Sequence, residues 1–309
     1  VCCLSSLNIE KYDEWKDDKN FIKDVMRFLD NVLEDFIHKA PDEFQDAKYS
    51  AGRERSVGLG VMGLHSFFQQ KMIPLESVMS KVWNKKIFEK IQKEVDQASK
   101  DLAEERGACP DAEEYGFKER FSNKTAIAPT ASISIICGGT SPGVEPIAAN
   151  SYTHKTLSGS FNVRNKYLKK LLAKHNRDND ETWSSITTNQ GSVSHLDFLT
   201  QQEKDVFKTA FELDQKWIVE LGADRTPHIS QAQSINIFLP ADVHKKELHQ
   251  IHFQAWKKGL KSLYYCRSKS IQRAENVNDT KSTDITANVY KSNKKQDDQP
   301  EYEECLSCQ

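Results

Sequence analysis

The sequence predicts an α/β fold that is rich in helix. Stretches with apolar residues three and four positions apart are typical of amphipathic helices, and they outnumber the short runs that favour strands. Because the predicted strands are separated by long helical segments, each needs a partner from elsewhere in the chain, as in parallel sheets. With 309 residues the chain is long enough to bury a large core.

The helical period is clearest at 20–40 and again at 75–106, where Gly107 follows the last turn as a C-terminal cap would. The stretch 56–64 consists of small and apolar residues that suit close packing, and we assign it no catalytic role. The same patterns predict further helices at 165–175, 201–221 and 241–262, and strands at 3–9, 132–137 and 263–266.

The composition excludes several classes of protein. There are 43 Lys and Arg against 45 Asp and Glu, which gives no support to a nucleic-acid or membrane-surface partner. No apolar run is long enough to cross a membrane, and the first residues do not resemble a secretion signal. Seven unevenly spaced cysteines fit a secreted disulfide framework poorly. We therefore expect a cytoplasmic protein.

Two cysteines, Cys305 and Cys308, form a C-x-x-C pair at the end of a polar segment. This spacing suits a redox-active disulfide or half of a zinc site, and an incidental pair is the third reading. Polar and charged residues dominate after Ser268, which predicts a flexible tail over 269–309 and a folded domain over 1–268.

Cys2 and Cys3 are neighbours at the start of the first predicted strand. A disulfide between adjacent residues needs a strained ring, so a reactive cysteine here would pair with a different thiol. The alternative is that both are small buried residues.

Tyr264 and Tyr265 follow the last predicted helix. Neighbouring residues on a strand point to opposite faces, so one ring would be buried and the other exposed. Packing is the ordinary explanation for such a pair, and transfer of an electron together with a proton is the functional one.

A block of hydroxyl residues and glycines runs from 129 to 146 and is not a Walker sequence. Hydroxyls and backbone amides of this kind can hold a phosphate, and a capped turn between core elements is the alternative. The block opens with Pro129, Thr130, Ala131, Ser132, Ile133 and Ser134.

Taken together and in order, these features resemble the large subunit of class I ribonucleotide reductase over essentially the whole chain. The resemblance rests on five markers, which are 2–8, 55–60, the block 129–134 with 143–146, Tyr264 with Tyr265, and the terminal cysteine pair.

The resemblance implies the second half of a ten-stranded α/β barrel built from two parallel five-stranded halves. In it, Cys2 is one of two thiols that reduce the ribose, while Cys3 does not react. The residues 129–134 bind the substrate diphosphate, and Tyr264 and Tyr265 carry a radical. Cys305 and Cys308 then reduce the spent disulfide and are themselves reduced by thioredoxin or glutaredoxin, although the family often has wider spacing at this pair.

The family's radical-bearing cysteine and effector-binding segments have no counterpart here, so the chain resembles a piece of a longer protein. We expect it to be inert alone. Its expected partners are the N-terminal part of the large subunit, a small subunit whose metal generates the radical, and a ribonucleoside diphosphate. No cofactor is expected on this chain itself.

Two other readings remain open from the sequence. A cobalamin-dependent class II reductase shares the barrel but needs no tyrosine relay, so the tyrosine pair favours class I. The second is a fragment without enzymatic activity that serves in assembly or binds zinc.

Overall fold

The computed structural model describes residues 1–156 and 159–268. The strands of these residues are β1 Leu4–Asn8, β2 Gly58–Met62, β3 Ser151–Thr156, β4 Gly159–Arg164, β5 Ile237–Leu239 and β6 Cys266–Ser268. The helices are α1 Tyr12–Trp15, α2 Phe21–Lys39, α3 Gln45–Glu54, α4 Leu64–Gln70, α5 Val78–Arg106, α6 Pro110–Glu114, α7 Ile133–Ile136, α8 Lys166–Lys174, α9 Asp180–Thr188, α10 Gln201–Val206, α11 Gln215–Arg225 and α12 Lys245–Lys257.

Five segments run parallel to one another in chain order. β1 pairs with β2, and a parallel bridge between Leu59 and Thr125 adds the segment 124–127. A second bridge joins Ile127 to Gln233, just before β5, which in turn pairs in parallel with β6. This is the arrangement expected of one five-stranded half of the barrel, and the predicted α/β class is confirmed.

The second strand lies at the centre of the packing and is buried along its whole length. Strands covered on both faces are typical of parallel sheets. A Cβ atom at Gly60 would collide with the backbone carbonyl oxygen of Ala126 on the neighbouring segment. The small residues that the sequence places here are therefore needed for the close approach of two backbones.

The two predicted long helices are confirmed as α2 and α5, which pack against each other and cover the sheet. The side chain of Ser77 accepts a hydrogen bond from the Ser80 N–H at the start of α5, and Gly107 ends that helix with φ 88°. Their inward faces share one core with β1 and β2, which includes Ile22, Met26, Leu29, Leu33, Ile87, Ile91, Val95 and Leu102.

The prediction of a single helix over 201–221 is wrong. The chain forms α10 and α11 instead, separated by an irregular segment. Asp214 begins α11 by accepting a hydrogen bond from the Lys216 N–H, and the Gln215 amide donates to the carbonyl oxygens of Ala210 and Leu213. These side chains provide hydrogen-bond partners for backbone groups between α10 and α11. The helix can therefore be interrupted although the apolar spacing in the sequence continues.

The predicted strand at 132–137 is also wrong, because the run forms the single-turn helix α7. The Ser134 N–H donates to the Thr130 carbonyl oxygen and the Cys137 N–H to that of Ile133. With these local bonds made, Ile136 is left 82% exposed. The remaining predicted helices are confirmed at α8 and α12, and the last predicted strand pairs only from Cys266 onward.

A buried carboxylate ties the helical layer together. Asp30 on α2 is fully buried, and it accepts hydrogen bonds from Arg55 at 2.7 Å, Arg106 at 2.7 Å and Arg120 at 2.9 Å. Burial alone would raise the pKa of Asp30, but the three guanidinium groups outweigh it and hold that pKa below its usual value. We term these four residues the Asp30 cluster.

Over residues 1–156 and 159–268, the structure contains no helix that is both long and apolar enough to cross a membrane.

Candidate functional site

The phosphate-binding candidate lies in the loop that follows the third parallel segment, 124–127. Loops beyond the carboxyl ends of parallel strands are common positions for ligand sites in α/β proteins. The loop turns sharply at Thr130, whose φ of 55° is unusual for a residue with a branched side chain. The Thr130 hydroxyl oxygen accepts a hydrogen bond from the Gly143 N–H at 2.7 Å, which closes the loop on itself.

A reciprocal pair of serines fastens this loop to the start of α4. The Ser141 N–H donates to the Ser66 hydroxyl at 2.8 Å, and the Ser66 N–H donates to the Ser141 hydroxyl at 3.1 Å. The Gly63 N–H also donates to the Ser141 carbonyl oxygen at 2.7 Å. The loop is therefore held by the body of the protein rather than by its own residues alone.

The predicted binding residues divide into two groups. Thr130 and Ser134 are buried, and the Ser134 hydroxyl donates to the Ala131 carbonyl oxygen at 3.2 Å, so both brace the loop. Ser132 and Ile133 are exposed, and the Ser132 side chain makes no capping bond to α7. Pro129 and Ala131 are half-buried. Ser132 is thus the hydroxyl best placed to contact a ligand.

The two tyrosines lie side by side. The Tyr264 and Tyr265 ring centroids are 4.2 Å apart with an interplanar angle of 51°, and their hydroxyl oxygens are 3.5 Å apart. Tyr264 is 44% and Tyr265 47% exposed. The prediction that one ring would be buried and the other exposed is therefore wrong.

An irregularity in strand pairing explains why. In a regular parallel ladder, one residue donates its N–H to the neighbouring strand and accepts from that strand with its own carbonyl. Here the Tyr264 N–H donates to the Ile235 carbonyl at 2.8 Å, while the Tyr265 carbonyl accepts from the Ile237 N–H at 2.9 Å. Two tyrosines thus take the place of one residue, which is a β-bulge opposite Asn236. The bulge breaks the alternation of faces.

The N–H of the extra residue is bonded by a side chain. Tyr265 donates its backbone N–H to the Asn236 side-chain oxygen at 3.0 Å, and the Asn236 amide nitrogen donates to the Glu145 carboxyl oxygen at 2.6 Å. Asn236 is 1% and Glu145 8% exposed. Burial raises the pKa of Glu145 above its ordinary value, although the bond from Asn236 and the charge of Arg267 oppose the shift.

Sequence reasoning placed Glu145 in a marker block without a role and missed Asn236 altogether. The available signal was a polar residue between Ile235 and Ile237 in an otherwise apolar run. A buried amide in such a run needs hydrogen-bond partners, which is a reason to look for a network.

The two N-terminal cysteines have different environments. Cys2 is exposed and precedes β1, whereas Cys3 is buried and its thiol lies 3.5 Å from the Leu29 carbonyl oxygen. Burial and, secondarily, the charge of Asp30 raise the pKa of Cys3, which keeps it as a thiol. The interpretation of both as buried residues is wrong for Cys2.

The structure joins the loop 128–146 to the tyrosine pair through Glu145 and Asn236. Within the described part of the chain, Cys2 has no hydrogen bond to this loop. It precedes β1, whereas the loop follows the third parallel segment, 124–127. Cys305 and Cys308 lie outside the described residues, as does the predicted tail. Among residues 1–156 and 159–268, no group of three or more His, Cys, Asp or Glu side chains is arranged to hold a metal ion.

The parallel half-sheet and the loop beyond its third segment define a barrel-type α/β protein. The family model described as "Ribonucleotide reductase, barrel domain" matches residues 1–120 and 111–266. The chain therefore belongs to the ribonucleotide reductase barrel family, and the resemblance noted from its sequence markers is confirmed.

Similar proteins include two viral large subunits of ribonucleoside-diphosphate reductase. The chain is 52% identical over 281 residues to that of Invertebrate iridescent virus 6, covering 90% of this chain and 29% of the relative. It is 46% identical over 286 residues to that of Invertebrate iridescent virus 3, covering 92% of this chain and 45% of the relative. The chain thus spans less than half the length of these relatives.

The fold is also similar to that of a solved structure. The class Id ribonucleotide reductase alpha subunit of Actinobacillus ureae matches with a TM-score of 0.81 and 39% sequence identity. The match covers 87% of this chain and 50% of that subunit.

Proposed function

We propose that this chain forms part of a ribonucleoside-diphosphate reductase, which reduces ribonucleotides to deoxyribonucleotides by a thiyl-radical mechanism. It acts with the remainder of the large subunit and with a small subunit whose metal site generates the radical. The observation that carries the proposal is the adjacent, exposed pair Tyr264 and Tyr265 in a chain of this family.

In this proposal Tyr264 and Tyr265 pass the radical between the small subunit and the active-site cysteine. Transfer between neighbouring phenols needs rings in near contact, because each oxidised tyrosine must lose an electron and a proton together. The centroid separation of 4.2 Å supports such a step.

Replacing either phenol by phenylalanine tests the relay. In the assembled enzyme, Tyr264→Phe or Tyr265→Phe should abolish deoxyribonucleotide formation. The substrate Kd should stay within about twofold of wild type, because phenylalanine keeps the ring and removes only the phenol hydroxyl. The control is Tyr115→Phe, an exposed tyrosine that directly follows α6. Unchanged turnover would overturn the relay and favour a cobalamin-dependent class II reductase.

The diphosphate of the substrate binds at the loop 129–134. Exposed Ser132 supplies a hydroxyl and the neighbouring backbone supplies N–H donors, which together suit an anion. Ser132→Ala should raise the Kd of a ribonucleoside diphosphate without lowering stability. Thr130→Ala should instead lower the stability of the protein, because the Thr130 hydroxyl accepts the hydrogen bond from the Gly143 N–H. Equal stability losses in the two variants would contradict this division.

Cys2 reduces the ribose together with a second thiol from the remainder of the large subunit, and the two become a disulfide. Its exposure supports this role, and the buried thiol of Cys3 provides the matched control. Cys2→Ser should stop multiple turnovers, whereas Cys3→Ser should chiefly affect stability. Full turnover by Cys2→Ser would rule the role out.

The thiols of Cys305 and Cys308 reduce the spent disulfide and are then reduced by thioredoxin or glutaredoxin. Replacing both by serine should remove turnover that depends on thioredoxin, while a small dithiol such as dithiothreitol still supports it. Stoichiometric zinc bound by these two cysteines would instead identify a metal site. A cytoplasmic location remains a prediction.

A further inference from the structure

We propose that Asn236 and Glu145 are positioning residues that hold Tyr264 and Tyr265 side by side by stabilising the bulge between β5 and β6. The role of the tyrosine pair in radical transfer rests on the proposed function, but the positioning itself does not. Asn236 acts through the backbone of Tyr265, whose N–H it accepts, and Glu145 acts through Asn236, whose amide nitrogen donates to it.

The bulge creates a donor that the strand ladder cannot satisfy. Tyr264 already donates to Ile235, so the next N–H, that of Tyr265, has no carbonyl opposite it in the ladder. A backbone N–H that is removed from water without an acceptor destabilises the arrangement that leaves it unpaired. The Asn236 side-chain oxygen accepts a hydrogen bond from this N–H. If that acceptor is removed, the regular register of the two strands becomes more favourable than the bulge.

The regular register would separate the rings. If one tyrosine both donated to Ile235 and accepted from Ile237, its neighbour would point to the other face of the sheet. The centroid separation of 4.2 Å is therefore a property of the bulge rather than of the Tyr-Tyr sequence. The acceptor at Asn236 is the side chain that selects between the two arrangements.

The orientation of the Asn236 amide is determined by its neighbours. The Tyr265 N–H can only donate, so the Asn236 oxygen must face it and the Asn236 nitrogen must face Glu145. Glu145 accepts at 2.6 Å, in either protonation state, because one carboxyl oxygen is always available as an acceptor. Glu145 thereby prevents the amide from rotating to present its donor to another donor.

Glu145 belongs to the loop 128–146, which also contains the phosphate-binding candidate. Glu145 lies two residues after Gly143, whose N–H donates to Thr130, and its own N–H donates to the Pro142 carbonyl at 3.0 Å. The turn that shapes the phosphate-binding candidate is thus the turn that places the Glu145 carboxyl. The two candidate sites share one rigid support.

The ring pair can be observed directly by 19F NMR with 3-fluorotyrosine incorporated at position 265 of the full chain. A neighbouring ring at this distance shifts the resonance, and the chain carrying Tyr264→Leu gives the reference without that ring. We expect Asn236→Leu to move the resonance most of the way to the reference value. Glu145→Gln should keep it, because the glutamine amide oxygen accepts the same bond, and Glu145→Ala should not.

Asn84→Leu is the matched control. Asn84 is fully buried on α5, donates to the Leu221 carbonyl oxygen at 2.9 Å and accepts from Arg225 at 3.3 Å, and neither bond involves a residue of the bulge. This substitution should lower stability and leave the Tyr265 resonance in place. If Asn236→Leu leaves the resonance unchanged, or Asn84→Leu moves it equally, the positioning role is wrong.

A second variant keeps the test decisive if Asn236→Leu does not fold. Asn236→Asp retains an acceptor for Tyr265 but replaces the donor to Glu145 with a second carboxyl. When both carboxyls are ionised they repel each other, so the resonance should be displaced from its wild-type position. Protonation lets the two carboxyls share a hydrogen and restores the bond, so the resonance should return toward its wild-type position as the pH falls. A resonance that stays displaced at every pH at which the chain is folded would overturn the proposal.

Turnover in the assembled enzyme separates this inference from the proposed function. We expect Asn236→Leu to lower kcat about tenfold or more at nearly constant KM, because misplaced rings slow transfer without affecting substrate binding. If Tyr265→Phe turns over normally, the relay is wrong while the NMR result still decides the positioning. If the resonance moves and kcat does not, the bulge is held by Asn236 but the ring contact is not needed for the reaction.

Discussion

Ser66 and Ser141 exchange two hydrogen bonds, each hydroxyl accepting from the backbone N–H of the other residue, at 3.1 and 2.8 Å. Both residues are 1% exposed. A short helix and a glycine-rich loop are thereby joined across 75 positions of sequence.

Removing one hydroxyl leaves a buried N–H without its acceptor. We expect Ser141→Ala to lower the free energy of unfolding by about 1–3 kcal/mol, measured by urea denaturation. The control is Ser122→Ala at an exposed position, which should stay within about 0.5 kcal/mol of wild type. Equal effects in the two variants would mean that the serine pair contributes nothing.

The Asp30 cluster makes a larger prediction. Asp30→Asn removes a charge and leaves buried Arg55 and Arg120 without it, so we expect a loss of about 3–5 kcal/mol in the free energy of unfolding. Asp101→Asn breaks a partly exposed ion pair with Lys23 and should cost about 1 kcal/mol or less. Comparable losses at the two positions would contradict the role of burial.

The same cluster determines the acid limit of stability. The pKa of Asp30 is lower in the folded state than in the unfolded chain, so the unfolded chain binds a proton first as the pH falls. The stabilisation is fully present above the unfolded pKa of about 3.9 and is lost as the pH falls through the folded pKa. Asp30→Asn should make the unfolding free energy less dependent on pH below about 4, and an unchanged slope would refute this.

His65 makes the stability of the fold depend on pH in a higher range than Asp30 does. It is fully buried and its Nδ1 accepts the Ile147 N–H at 2.9 Å, and burial lowers its pKa from 6.5 to about 3. Between these values the unfolded chain is protonated and the folded chain is not, so acid destabilises the fold by about 1.4 kcal/mol per pH unit. His65→Gln keeps an acceptor for Ile147 and should remove this slope between about pH 6 and about pH 4, a range that lies between the two pKa values. If NMR showed the His65 ring of the folded protein titrating near pH 6, the lowered pKa and the pH dependence that follows from it would be wrong.

Gly60 tests the close approach of the second and third parallel segments. Gly60→Ala places a methyl group against the Ala126 carbonyl oxygen, and we expect a loss of about 1–3 kcal/mol from overpacking. At Gly52 on α3, no atom lies within 4 Å of the position that a methyl group would take, so Gly52→Ala should stabilise the helix by about 0.5–1 kcal/mol. Thermal denaturation of both variants measures the contrast, and losses in both would contradict it.

Much of the helical layer could be predicted because its signal is local. The apolar spacing of α2 and α5 reports one buried face per helix, and Gly107 marks the end of α5 by its backbone freedom. The isoleucine-rich run at 132–137 misled the prediction, since apolar and β-branched residues in so short a run do not distinguish an exposed turn of helix from a strand.

By itself the sequence determined the α/β class, the two long helices, the order of the family markers and the identity of the tyrosine pair. Only the tertiary structure decided that the two rings lie together, that Ser132 faces outward while Thr130 braces the loop, and that Asp30 is shared by three arginines. The physical reason is range. Amphipathic periodicity is recorded within a few turns of chain, whereas the acceptor for the Tyr265 N–H comes from Asn236, 29 residues away, and the partner that orients Asn236 is a further 91 residues distant.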